Sequence, residues 1–198
     1  MTTYGLYVFE QVAELDFVGP QQVFAASNYL LGSTDKVVTI SDTNDSIHGI
    51  GGLHIIPDHA FADAPPLDVL LVPGTSDVTE FALGNETALA WITAQAGKVQ
   101  WMTAVCTGAL ILQKVGLLKG RKATTHWQLQ DALAKDPDVI LMPEMRYVCD
   151  GNVVTSQGVS AGIDMALWLV GQIHTPEHAR MVRKILQYDP APPYTAEV

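Results

Sequence analysis

Short apolar runs alternate along this chain with longer segments of helical period, and that alternation restricts the fold more than any other feature. The clearest run lies in Asp68 to Val72 and ends in Pro73-Gly74. A strand apolar along its length is buried on both faces, as in a parallel sheet covered by helices. Tyr4 to Phe9, Lys36 to Ser41 and Val99 to Val105 also read as strands, and Lys122 to Thr125 as a short one. Between them, Gln21 to Leu31 reads as a helix opened by Pro20 and closed by Gly32. Asn85 to Ala96, Thr107 to Val115, Trp127 to Ala134, Val159 to Ile173 and Pro176 to about Leu186 follow as further helices. Asp45 to Pro57, with Gly49, Gly51 and Gly52, predicts a hairpin or ribbon. Arg146 to Cys149 and Val153 to Ser156 flank Asp150-Gly151, a hairpin turn. The tail from Asp189 to Tyr194 holds three prolines and is expected to lie extended on the surface.

Repeated strand-helix units predict an α/β fold with a mostly parallel sheet and helices on both faces. The 198 residues suit one domain spanning 1–198. Nearly half of them are apolar and 16% are charged, the balance of a compact chain rather than a disordered one. The formal charge of -10 repels polyanions, so neither nucleic acid nor an anionic membrane is expected as a partner. The amino-terminal stretch lacks the basic region of a signal peptide, and runs such as Met165 to Val170 are about a third of a membrane span. Two cysteines, Cys106 and Cys149, are too few for a disulfide scaffold, so a cytoplasmic protein with reduced thiols is expected.

Ligands of parallel α/β sheets sit beyond the carboxyl ends of the strands. That places three loops in view: after Phe9, after Val72 and after Val105. Cys106 follows the last of these strands, with the next helix opening at about Thr107. Ala104, Gly108 and Ala109 are small enough for a tight turn and close packing. A cysteine at a helix amino end faces unpaired N–H groups and the positive dipole end, which favours the thiolate. The alternative is a buried, inert cysteine. Asp16, in Glu14-Leu-Asp-Phe-Val-Gly-Pro20, lies on the same edge. It reads either as a helix cap or as a carboxyl that shuttles a proton to and from Cys106. Gly74, followed by Thr75, is either an oxyanion-hole backbone or a plain turn. His126, just past another strand end, is a base for Cys106, a pocket donor or a structural hydrogen bonder. Cys149 reads as packing within its strand. His48, His54 and His59 are scattered, so no metal site is expected. Gly49 to Gly52 lacks the Lys-Ser/Thr of a phosphate loop.

Several stretches together carry a resemblance: Leu15-Asp-Phe-Val-Gly-Pro20, Pro66-Leu-Asp-Val-Leu-Leu-Val-Pro-Gly74, Thr103-Ala-Val-Cys-Thr-Gly-Ala-Leu110, Gly116-Leu-Leu-Lys-Gly120, Ala123-Thr-Thr-His-Trp127, Ala161-Gly-Ile-Asp164 and Pro190-Ala-Pro-Pro-Tyr194. The chain resembles the ThiJ/PfpI superfamily, related to class I glutamine amidotransferases, and within it the branch that hydrates isonitriles. The resemblance implies a flavodoxin-like three-layer sandwich, a homodimer, a small-molecule substrate and no cofactor. It implies Cys106 as nucleophile and Asp16 as partner acid, with Thr107 helping through its N–H or hydroxyl. Gly74, Thr75 and His126 would line the substrate. One departure stands out: family members often carry Pro-Gly-Gly where this chain has Pro73-Gly-Thr75. Two other activities follow from the same resemblance. One is a redox or small-ligand sensor without turnover; the other is an amidase or glyoxalase-like hydrolase. The peptidase-like members carry His directly after the nucleophile, where this chain has Thr107.

Overall fold

The computed structural model describes residues 1–190. Its elements are β1 (Thr3–Tyr7), α1 (Glu14–Leu31), β2 (Lys36–Ser41), β3 (Ile47–His48), β4 (His54–Ile55), β5 (His59–Ala60), β6 (Val69–Val72), α2 (Val78–Phe81) and α3 (Glu86–Ala96). They continue with β7 (Trp101–Val105), α4 (Gly108–Lys114), β8 (Lys122–Ala123), α5 (Gln130–Leu133), β9 (Ile140–Leu141), β10 (Tyr147–Asp150), β11 (Val153–Ser156), α6 (Ala161–Ile173) and α7 (Pro176–Ile185). A 3₁₀ turn, Trp127–Leu129, leads into α5.

Seven strands form one sheet in the order β10-β11-β7-β6-β1-β2-β5. Every neighbouring pair is parallel except β10 with β11. The chain steps outward from β1 to β2 in one direction and through β6 and β7 in the other. The crevice of a doubly wound sheet opens at that reversal. On one side α1, α6 and α7 pack together; on the other α4 packs with α2 and α5. The result is a flavodoxin-like three-layer sandwich, as expected. The strands β1, β6 and β11 are buried at every position, and β6 is apolar throughout, as a strand covered on both faces requires. Tyr4 of β1 stacks on Phe24 of α1 with ring centroids 4.2 Å apart, fixing that helix across the sheet.

The structure departs from the sequence reading in its first helix. α1 begins at Glu14, not at Pro20, and Pro20 lies inside it. Glu14 and Asp16 occupy the first turn, where the dipole favours carboxylates. Pro20 cannot donate to the Asp16 carbonyl four residues earlier, and that missing donor is why the proline read as a start. The predicted ribbon is present as antiparallel β3 and β4, and the Asp150-Gly151 hairpin joins β10 to β11. The short β5, β9 and α2 carried no pattern long enough to read. The last four residues of the proline-rich stretch Asp189 to Tyr194 lie outside the described residues.

Gly108 opens α4 where the helix meets the end of β6. A Cβ there would collide with the Val72 carbonyl oxygen and stand 2.8 Å from that of Pro73. Neither backbone atom can yield. Gly108→Ala is expected to destabilise the protein by about 1–3 kcal/mol, measured by urea unfolding. Unchanged stability would show that α4 is not pressed against β6.

Candidate active site

The carboxyl ends of β1, β6, β7 and β11 converge on one thiol. Cys106 sits between β7 and α4 with φ of +60°, a left-handed conformation rare for a residue with a side chain. Its backbone is held from several directions. The Cys106 N–H donates to the carbonyls of Ser156 and Gln157 at 3.3 and 3.2 Å. Its carbonyl accepts the Thr125 hydroxyl at 2.8 Å. The elbow is therefore over-determined, and the side chain stands where the strand-to-helix turn puts it.

Asp16 is brought to the same point by the first turn of α1. It has no exposed surface. Its Oδ2 accepts the Gly74 N–H at 2.9 Å, and the Ala13 N–H donates to the Gly74 carbonyl at 2.9 Å. The two bonds tie the start of α1 to the loop after β6. Oδ1 closes no well-aligned hydrogen bond. The carboxyl group lies nonetheless in the field of the Cys106 thiol and the Val159 N–H, both of which favour the carboxylate. Burial outweighs them and raises Asp16 from 3.8 to about 6.

The thiol shift runs opposite to the sequence expectation. Burial, then the neighbouring Asp16 charge, push Cys106 up to about 12, against the N–H groups of Thr107 and Val159. A single turn of helix dipole does not offset a desolvated charge beside a second one. The resting pair is a thiol beside a carboxylate, sharing one proton. Such a pair can take the proton from sulfur as a bond forms there and return it to a second atom.

Thr107 and Thr75 are joined reciprocally. The Thr75 N–H donates to Thr107 Oγ1 at 2.9 Å, and that hydroxyl donates to the Thr75 carbonyl at 2.9 Å. A Cβ at Gly74 would strike Thr107 Oγ1 and lie 2.7 Å from the Thr107 backbone nitrogen. Glycine is required there for close approach, not for an open anion cradle. Both N–H groups of the Gly74-Thr75 loop are already committed, which corrects the expected oxyanion hole. His126 lies apart from the pair. Its half-buried ring packs on Gly158, and its Nδ1 faces the Gln128 N–H at 3.4 Å. Among the described residues it makes no hydrogen bond to Cys106 or Asp16, and its Nδ1 instead caps the 3₁₀ turn. Cys149, expected to be packed, is exposed on β10.

Sequence reasoning missed Val159. It precedes α6 with φ of +56°, a strained value for a β-branched residue, and turns its N–H toward both Cys106 and Asp16. The only available signal was Gln157-Gly158 at the end of a buried strand. Two surface cavities, of about 740 and 420 Å³, are lined by neither Cys106 nor Asp16. With Cys106 only 7% exposed, the approach to sulfur is narrow. No group of three or more His, Cys, Asp or Glu among the described residues is arranged to hold a metal ion.

Residues 5–172 match the DJ-1/PfpI family. The chain is 39% identical over 194 residues to the isonitrile hydratase of Pseudomonas putida, spanning 96% of this chain and 80% of that protein. It is 28% identical over 151 residues to the HTH-type transcriptional regulator GbdR of Pseudomonas aeruginosa, spanning 76% of this chain but 41% of the regulator. A solved ThiJ/PfpI family protein from Pseudomonas syringae superposes with a TM-score of 0.88 at 33% identity, over 100% of this chain and 79% of that one. Drosophila melanogaster DJ-1beta superposes with a TM-score of 0.81 at 20% identity, over 95% and 98%, a likeness of fold alone.

The charge of Asp16 is one cause of the high thiol pKa, so its removal has a defined sign. In a Cys149→Ser background, the thiolate absorbance of Cys106 should show no step near pH 6. Asp16→Asn should bring its ionisation to lower pH than in the parent. A thiolate step near pH 6 in the parent would place the shared proton on Asp16 instead.

Proposed function

We propose that this chain, which belongs to the DJ-1/PfpI family, hydrates isonitriles to N-substituted formamides at Cys106. The observation that carries this reading is the buried thiol-carboxylate pair of Cys106 and Asp16. The 39% identity to an isonitrile hydratase over nearly the whole chain supports it. The reacting end of an isonitrile is linear and one atom wide, which suits the narrow approach to sulfur.

Cys106 Sγ bonds to the terminal isonitrile carbon as its proton passes to Asp16. The electron pair left on that carbon takes the proton back from Asp16. The product is a thioimidate, with a C–H bond, a C=N bond and an ionised Asp16. Water then attacks the carbon. Asp16 accepts a proton from the water and passes it to the nitrogen, whose lone pair the C=N electrons have become. Finally the hydroxyl proton moves to Asp16, the carbonyl forms and the C–S bond breaks. Sulfur recovers its proton, and the sum is isonitrile plus water to formamide. The N–H groups of Thr107 and Val159 stabilise sulfur whenever it carries charge.

An amidase needs free N–H donors for a carbonyl oxyanion in its first step. Bond formation to an isonitrile carbon places the new electron pair on carbon and needs a proton source instead. The committed N–H groups of Gly74 and Thr75 therefore favour isonitrile over amide. We also read the chain as a homodimer acting on a small molecule without a cofactor. Exposed Leu15, Ile50 and Leu53 near Glu14 support the dimer. No helix among the described residues is long and apolar enough to cross a membrane.

A turnover assay decides the activity: aliphatic isonitriles beside methylglyoxal and a peptide amide, with formamide followed by NMR. Formamide is expected only from the isonitriles. Asp16 accepts the thiol proton only when ionised, so kcat/KM should fall as pH drops through about 6. Asp16→Asn and Cys106→Ser should each lose at least about a hundredfold. Turnover of methylglyoxal or the amide without formamide would replace this reading. No turnover at all, with oxidation confined to Cys106, would favour the sensor.

A further inference from the structure

Two carboxylates fasten the ribbon of β3 and β4, one from the segment that leads into α1 and one from the first residue of α1. Glu10 Oε2 accepts the His48 N–H at 2.9 Å. Glu14 Oε1 accepts the Gly51 N–H at 2.6 Å and the Leu53 N–H at 3.4 Å. Backbone bonds run alongside them. Gln11 N–H donates to the His48 carbonyl at 2.6 Å, and Ile50 N–H to the Val12 carbonyl at 3.0 Å. Val12 itself bridges to Gly49 on one side and to Thr75 on the other. The glycine-rich turn that lacked the signature of a phosphate loop thus cradles a carboxylate of its own chain.

The seat is closely fitted. A Cβ at Gly49 would collide with Glu14 Oε1 and Cδ and lie 2.6 Å from Cγ. One at Gly51 would lie 3.0 Å from Oε1 and 3.1 Å from Oε2. From this seat a short chain of bonds reaches the reacting pair. Glu14 holds the turn, the turn holds Val12, and Val12 holds Thr75. Thr75 locks onto Thr107, while Ala13 and Asp16 grip Gly74 from both sides.

We propose that Glu14 is a positioning residue: by clamping the Gly49–Gly52 turn it keeps the ribbon against Val12, and so keeps the Cys106–Asp16 site closed to bulk water. Its effect on Asp16 runs through structure. The Glu14 charge is not among the causes of the raised Asp16 pKa, of which burial is the largest. Loss of the clamp admits water and lets Asp16 fall back toward an ordinary carboxyl. The other titratable groups of this layer are Glu10, His48 and His54, the two imidazoles meeting edge to face at 4.4 Å. None of these makes a hydrogen bond to Glu14 among the described residues.

The test has one readout that needs no turnover. In a Cys149→Ser background, Glu14→Ala should speed alkylation of Cys106 by a small reagent about tenfold, the weight of a lost hydrogen bond to a charged group. It should also unprotect the Gly51 and Leu53 amides in hydrogen exchange. Glu14→Gln keeps an acceptor oxygen in the seat and should label like the parent. Gly49→Ala needs no left-handed backbone and evicts Glu14 sterically, so it should reproduce Glu14→Ala and add nothing to it in the double variant. It also carries the test if Glu14→Ala does not fold. The part of the proposal that rests on isonitrile turnover is the acid limb of kcat/KM, which should move below pH 6 in Glu14→Ala and Gly49→Ala. An inactive parent would sink the hydratase reading and leave the labelling result to decide the clamp. Parental labelling rates in both Glu14→Ala and Gly49→Ala would overturn it, as would a Glu14→Gln protein as labile as Glu14→Ala.

Discussion

A carboxyl group with no exposed surface is pressed against a buried thiol, and the surrounding architecture offsets what that contact costs. Raising Asp16 from 3.8 to about 6 corresponds to roughly 3 kcal/mol of unfavourable burial of its charge. The sign follows from linkage. A carboxyl whose folded pKa is raised withdraws stability as pH climbs from its unfolded value to its folded one, here between about 4 and 6. At neutral pH the protein carries that deficit in full. Two left-handed non-glycine residues, Cys106 and Val159, add local strain at the same place. Strain and buried charge of this kind concentrate at functional sites.

What holds the pair together is mostly backbone. The Gly74 N–H fixes Asp16, while the N–H groups of Thr107 and Val159 face sulfur. Each comes from a different crossover: the loop after β6, the elbow after β7 and the turn after β11. Only a parallel sheet brings these ends to one edge, with three helix amino ends arriving beside them. At Gly74 and Gly108 a Cβ would meet backbone atoms of the facing segment, which marks where these segments touch. The same scaffold serves proteins as different as a hydratase, a transcriptional regulator and DJ-1beta, so function is read from the side chains at this edge.

The centre of the sheet was legible because β6 and β7 are buried almost throughout and mainly apolar, whereas the edge strand β5 is two half-buried residues without a pattern. Cys106 and Asp16 were legible as residues of one edge, since each follows a strand end by a short stretch. The electrostatics were not. A helix amino end is visible in sequence, but the desolvation that outweighs it comes from residues far apart along the chain. Pro20 hid the true start of α1 because its tolerance inside a helix depends on tertiary context. Val159 was invisible for a similar reason: a valine with positive φ has no signature in one sequence. The Gly49–Gly52 turn was recognised as unusual, while its occupant, Glu14, lies thirty-odd residues earlier and became apparent only when the two were seen together.

The proposed hydration requires a covalent bond between Cys106 and the isonitrile carbon. Mass spectrometry of the protein quenched in acid during turnover tests this most directly. It should show a species heavier than the free protein by the mass of one isonitrile, mapped by peptide digestion to Cys106 and decaying as formamide appears. Formamide production at full rate with Cys106 unmodified at every time point, or an adduct that maps to Cys149, would contradict it.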